Sequence, residues 1–270
     1  MTFRSAVARL ILRAAAWALM PAFALGQPER IHDAKLQTEL GRLRALVQTQ
    51  GFEKTEQELW QSLRKKTADF SAIESLGLLY VESKKPEQVA SMIPQIPLRE
   101  EDRVARVARI LANGGYLEQA NQFLLAFVRR SQAESWKLTD VRAALLIESG
   151  RHEEAIQILT AASSTPEQEA MRSYRLALAN QGLQRWVEAL SHIRQARVLR
   201  PDPLFSYTEG LLLLAMDRLP EAEQVLSEGR KRFPSSAQLC LGQARLSSRV
   251  GDFYKAEGAL KKAIELYTRT

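Results

Sequence analysis

Four small residues, evenly spaced, constrain what this chain can fold into. Ala143, Ala177, Gly210 and Ala244 follow one another at steps of 34, 33 and 34 residues. A second set, Ala155, Ala189, Ala222 and Ala256, keeps the same steps 12 residues behind the first. Four residues after each member of the second set stands a large aliphatic, Leu159, Ile193, Leu226 or Leu260. Three further on comes Ala162, Ala196, Gly229 or Ala263. A period near 34 is the length of a helix–turn–helix unit repeated along the chain. Small side chains 12 apart let two antiparallel helices approach across a short turn. The residues at i+4 and i+7 then lie on one helical face, aimed at the next unit.

The pattern extends backwards with growing decay. Ala108 and Ala120 are again 12 apart, around a turn at Asn113-Gly114-Gly115. Gly77, Tyr80 and Ile93 fit the unit before, where Val89 replaces the small residue of the second helix. Leu40, Leu43, Gly51-Phe52, Trp60 and Leu63 mark a first, faint unit. Turns are expected near Gly51, Lys84, Gly115, Gly150, Gln184, Asp217 and Gly251, giving seven helix pairs. Gly115, Gly150 and Gly251 suit the positive φ that closes a helix. Pro86, Pro166 and Pro220 stand at helix starts, where a missing N–H costs nothing. Asp202 and Ser235 are candidate caps, and Glu221 and Arg230 are expected on solvated faces.

One stretch breaks the rule. Pro94 and Pro97 fall where a second helix should continue, and a proline inside a helix costs about 3 kcal/mol. That helix is expected to stop near Ile93. A joint at 94–100 would then divide degenerate N-terminal repeats (27–98) from a five-repeat body (99–270).

The chain resembles the tetratricopeptide repeat family. The resemblance rests on Leu176-Ala177, Ala189, Ile193, Ala196 and Pro201 in one unit, and on Ala244, Gly251-Asp252-Phe253, Ala256, Leu260 and Ala263 in another. The family's early tryptophan is replaced by Ser173, Ser206 and Cys240. The resemblance implies an all-α fold, a right-handed α-solenoid of about seven repeats, whose first helices line a concave face that binds peptides or protein segments. By position, that face takes Met171, Tyr174 and Leu178 from one unit and Leu204, Tyr207 and Leu211 from the next. Lys137 and Asp140 stand at one end, with Arg245 and Arg249 at the other. The two apolar sets, one repeat apart, are expected as parallel rows about 10 Å apart. An apolar floor with charged ends suits an amphipathic helix or an extended apolar peptide, with an acidic end near the two arginines. The run Leu211-Leu212-Leu213-Leu214 is apolar all round, so part of it must be core. The Lys-x-x-x-Asn carboxylate clamp of some family members has no counterpart on these helices.

Residues 1–26 read as a targeting segment. Arg4, Arg9 and Arg13 make a basic start without acids, an apolar run follows from Ala14 to Leu25, and small residues Ala22, Ala24 and Gly26 close it. The run is too short for a comfortable membrane span. A cleaved secretory signal is the first reading, placing the protein in the periplasm or outside the cell. A mitochondrial transit peptide and an uncleaved anchor are the alternatives. Gln27 stands where a lipoprotein would carry its cysteine. Without the three arginines the net charge falls from +7 to +4, which removes most of the argument for a nucleic-acid partner.

Chemistry is sparse. His32, His152 and His192 lie far apart, and Cys240 is the single cysteine, so no metal site, disulfide or cofactor is expected. Ser62-Leu63-Arg64-Lys65 has the Ser-x-x-Lys spacing of a nucleophile and base, but the companion motifs of that enzyme class are missing. The paired acids Glu153-Glu154 and Glu100-Glu101-Asp102 sit at helix starts, where they favour the macrodipole. The resemblance therefore implies a non-enzymatic scaffold bound to another protein, and the targeting segment sets the expectation that it serves cell-envelope assembly or secretion. A self-associating structural subunit is the alternative. The last helix would present Leu260, Ile264 and Tyr267 as a stripe at i, i+4 and i+7, either exposed or covered by another chain.

Overall fold

The structure, a computed structural model, describes residues 34–64, 71–132 and 134–268. The expected targeting segment, with His32, lies outside the described residues. Two compact units divide the chain between Ser163 and Ser164.

The described part of the first unit holds α1 (Ala34–Gln50), α2 (Phe52–Arg64), α3 (Ser71–Glu82), a 3-10 helix (Pro86–Gln95), α4 (Glu101–Asn113), α5 (Leu117–Ser131), α6 (Trp136–Glu148) and α7 (His152–Ala161). The second holds α8 (Pro166–Gly182), α9 (Trp186–Leu199), α10 (Pro203–Ala215), α11 (Leu219–Arg232), α12 (Ala237–Arg249) and α13 (Phe253–Thr268). Among the described residues these are the fourteen helical elements, in seven pairs, that the spacing predicts, and no strand occurs among them.

The turns fall where expected. Gly51, Gly115, Gly150 and Gly251 have φ of 87°, 88°, 78° and 80°, and Lys84, Gln184 and Asp217 take 56°, 59° and 57° at the other three. The left-handed region costs a non-glycine residue about 1–2 kcal/mol. What holds it is a main-chain bond from the residue after the turn to the carbonyl five residues back. It joins Lys85 to Tyr80 at 2.8 Å, Tyr116 to Leu111 at 2.9 Å, Arg151 to Leu146 at 2.8 Å and Arg185 to Asn180 at 2.9 Å. The same bond joins Arg218 to Leu213 at 2.9 Å and Asp252 to Ser247 at 2.8 Å. This is the Schellman arrangement, which satisfies carbonyls the helix end would otherwise orphan.

Helix starts follow their caps. Asp202 Oδ1 accepts from the Leu204 N–H at 2.9 Å. Gln168 Oε1 accepts from the Thr165 N–H at 3.0 Å, ahead of Pro166. Ser236, rather than Ser235, caps α12, accepting from the Leu239 N–H at 3.3 Å.

The small residues sit in the core. Ala143, Ala177, Gly210, Ala244, Ala155, Ala189, Ala222 and Ala256 are all buried, as are Leu159, Ile193 and Leu226. Leu226 explains two of the glycines: a β-carbon on Gly210 would stand 2.6 Å from its Cδ2, and one on Gly242 also 2.6 Å. The Leu226 side chain of α11 is thus wedged between α10 and α12, and both helices must be bare there to admit it. Ser206, at a position where the resembled family carries tryptophan, faces the bare backbone of Gly229, with its Cβ 3.1 Å from a β-carbon placed there. Small residues on both sides let the helices close over the missing ring.

The faint first pair is tied to the second by a polar cluster. The fully buried Tyr80 donates from its hydroxyl to Glu56 Oε1 at 2.8 Å and accepts from Trp60 Nε1 at 3.2 Å. Burial first, and then the Glu56 carboxylate, raise the Tyr80 phenol above its ordinary pKa.

At Pro94 the second helix of its pair is a 3-10 helix, and Ile96 is extended, with φ −81° and ψ 121°. Pro94 and Pro97 have no N–H, so nearby carbonyls lose helical donors. Arg130 of α5 replaces them: its Nη1 donates to the Ile93 carbonyl at 2.6 Å and also to that of Ile96. The irregularity expected at the two prolines is therefore present.

Candidate functional site

The residues proposed for partner contact lie on α8, α10 and α12, the first helices of the three pairs in the second unit. They are not equally accessible. Tyr174 is 4% exposed and Tyr207 is 7% exposed, so the two tyrosines are core side chains and not an open row. Leu178 and Leu211 are buried as well. Met171, Leu204 and Arg245 are half-buried, and Arg249 is exposed.

Packing between successive first helices closes the tyrosines off. The Tyr174 ring lies 5.2 Å from that of Phe205 of α10, tilted by 33°. Tyr207 Cδ2 stands 3.2 Å from a β-carbon placed on Gly242 of α12. Burial pushes the Tyr207 phenol above its ordinary pKa, and the Arg245 guanidinium nearby works the other way. From Phe205 to Leu213 every residue of α10 is buried, as expected of a helix packed on all sides.

The charged ends differ from expectation. Arg249 Nη2 is 3.2 Å from Asp217 Oδ1, an exposed pair of little energetic weight. Arg245 has no hydrogen-bond or ion-pair partner among the described residues. Lys137 pairs with Asp102 one repeat back, and it belongs with Asp140 to the other compact unit.

One cluster escaped the sequence reading. Glu209, 2% exposed on α10, is gripped by two arginines of α9. Arg194 Nε donates to its Oε1 at 3.0 Å, and Arg197 Nη1 donates to its Oε2. Arg194 also reaches Glu221 at 3.1 Å, and Glu221 in turn pairs with Arg218 at 2.6 Å rather than standing free as a solvated partner of Arg230. The available signal was a lone acid inside the apolar run of α10, directly before Gly210. A buried carboxylate has to be paired, and Arg194 and Arg197 lie 15 and 12 residues earlier.

Cys240 is buried. Among the described residues no cluster of three or more His, Cys, Asp or Glu is placed to hold a metal ion, and no helix is long and apolar enough to cross a membrane.

No protein-family model matches the chain, and no curated protein matches its sequence. Solved structures do. A tetratricopeptide repeat protein from Parabacteroides merdae is 13% identical, with a TM-score of 0.58 over 85% of this chain and 92% of that one. PilF of Pseudomonas aeruginosa is 20% identical, with a TM-score of 0.50 over 74% of this chain and 92% of that one. At such identities the likeness is one of fold, and it agrees with the paired helices, the period and the turns: this chain has the tetratricopeptide repeat fold.

Proposed function

We propose that this protein is a non-enzymatic scaffold that holds a segment of another protein along the first helices of its 164–270 unit. The observation carrying this reading is Arg245. It is a half-buried guanidinium with no carboxylate among the described residues, on the same set of first helices as half-buried Met171 and Leu204. Tyr174, Tyr207, Leu178 and Leu211 form the floor beneath that rim and shape it from below, while Met171, Leu204, Arg245 and Arg249 make the contacts. A planar guanidinium, partly desolvated and uncommitted, recognises carboxylate through paired hydrogen bonds. The partner segment accordingly carries apolar side chains followed by an acidic group. Repeat folds of this kind use extended surfaces for such binding.

The test is crosslinking capture from the native host with wild type and with Arg245→Glu. The variant is expected to keep its melting temperature and lose about tenfold or more in affinity for the captured partner, the scale of an interface hot spot. Equal capture by both would sink the assignment.

We place the scaffold in the cell envelope because of the Arg4, Arg9 and Arg13 start and the small residues ending at Gly26. The mature protein is expected to begin just after Ala24 or Gly26 when its N-terminus is sequenced from the native host. An intact Met1 in a cytoplasmic fraction would refute export.

A further inference from the structure

The last helix, α13, buries Ala256, Ala259 and Ala263. About a quarter-turn away lies a second stripe, Phe253, Leu260, Ile264 and Tyr267, at steps of 7, 4 and 3 that keep one helical face. Phe253 is 51% exposed, Ile264 63% and Tyr267 53%, while Tyr254 beside them is 89% exposed. Three large apolar side chains open along one face, with Tyr254 further round the same helix, mark an interaction surface. Its outer edge carries one acid and one base a turn apart, Glu257 and Lys261, joined at 2.8 Å.

We infer that a second copy of this chain covers the stripe, with α13 packed antiparallel on its own equivalent. The charges select that partner and that direction. A twofold axis beside Ala259 sets Glu257 against Lys261 of the partner subunit, and Lys261 against Glu257 of the partner subunit. Both ion pairs form at once because an isologous contact repeats each interaction. The same axis brings Ile264 onto Tyr254 of the partner subunit and sets Phe253 beside the partner's Ile264. A parallel arrangement would instead face this charged edge with the core-side edge of the other helix, at Leu260 and Tyr267. A single pair of 16-residue helices is at the small end of specific interfaces, so monomer and dimer exchange at roughly micromolar concentration.

Sedimentation equilibrium of the protein purified from its native host, over a concentration series, tests it. Wild type is expected to dimerise, and Ile264→Lys to weaken the dimer at least tenfold with unchanged melting. Glu257→Lys and Lys261→Glu should each weaken the homodimer. The double variant should restore it, and the two single variants mixed together should form a heterodimer tighter than either homodimer. A monomer at every concentration overturns the inference, as does a dimer that Ile264→Lys leaves intact, the result if another protein or another segment of this chain covers the stripe. A dimer disrupted by Ile264→Lys but indifferent to the charge exchange overturns the antiparallel register.

Discussion

Alanine at both Arg194 and Arg197 is expected to lower the stability of the 164–270 unit by about 3–5 kcal/mol, the cost of stranding a buried charge. Glu209 is 2% exposed, and these two guanidinium groups face its two oxygens. Either single change should cost much less, because the remaining arginine still neutralises the carboxylate. Arg194 is also 46% exposed, so part of its interaction is screened by water. Adding Glu209→Leu to the double variant should recover most of the loss, since the stranded charge goes with it. Chemical denaturation of wild type and the four variants gives the comparison. A double variant within 1 kcal/mol of wild type, roughly the value of an exposed pair, would show that water reaches Glu209.

The second large effect concerns the tyrosines. Tyr174→Ala and Tyr207→Ala are each expected to cost about 3–5 kcal/mol, the scale for deleting a large buried aromatic. Tyr174 loses its contact with the Phe205 ring. Tyr207 leaves a void against the bare backbone of Gly242, which has no side chain to fill it. Thermal melting measures both. Variants that melt with wild type would mean that the first helices stand further apart and that the tyrosines are open to a partner after all. If melting drops as expected, reduced partner capture by these variants reports unfolding, and the rim variant at Arg245 carries the functional test alone.

The repeat was legible because it is written in side-chain size. Ala143, Ala177, Gly210 and Ala244 must be small wherever the units are placed, and a turn near Lys84 or Gln184 follows from counting between such sites. The faint first pair could be read only as scattered aliphatics, since the Tyr80, Glu56 and Trp60 cluster that ties it down has no period. The break at Pro94 and Pro97 was legible, but the donor that repairs their backbone, Arg130, lies more than thirty residues away. The tyrosines were placed on the right helices, but their depth depends on how closely α8, α10 and α12 approach, a distance that helical periodicity does not encode. Glu209 was legible only as a lone acid in an apolar run; its burial depends on Arg194 and Arg197 reaching it from the neighbouring helix, which periodicity does not encode.

Within each compact unit, substantial packing joins only helices one or two places apart in the chain. Such an assembly has an unusual response to tension. A globular core sheared between distant segments yields all at once, but elements packed in series come away from an end, pair after pair. Each pair released from the 164–270 unit frees about 34 residues, a gain of roughly 110–120 Å in contour length at full extension. Extended under load, the unit lengthens in even steps, one helix pair at a time.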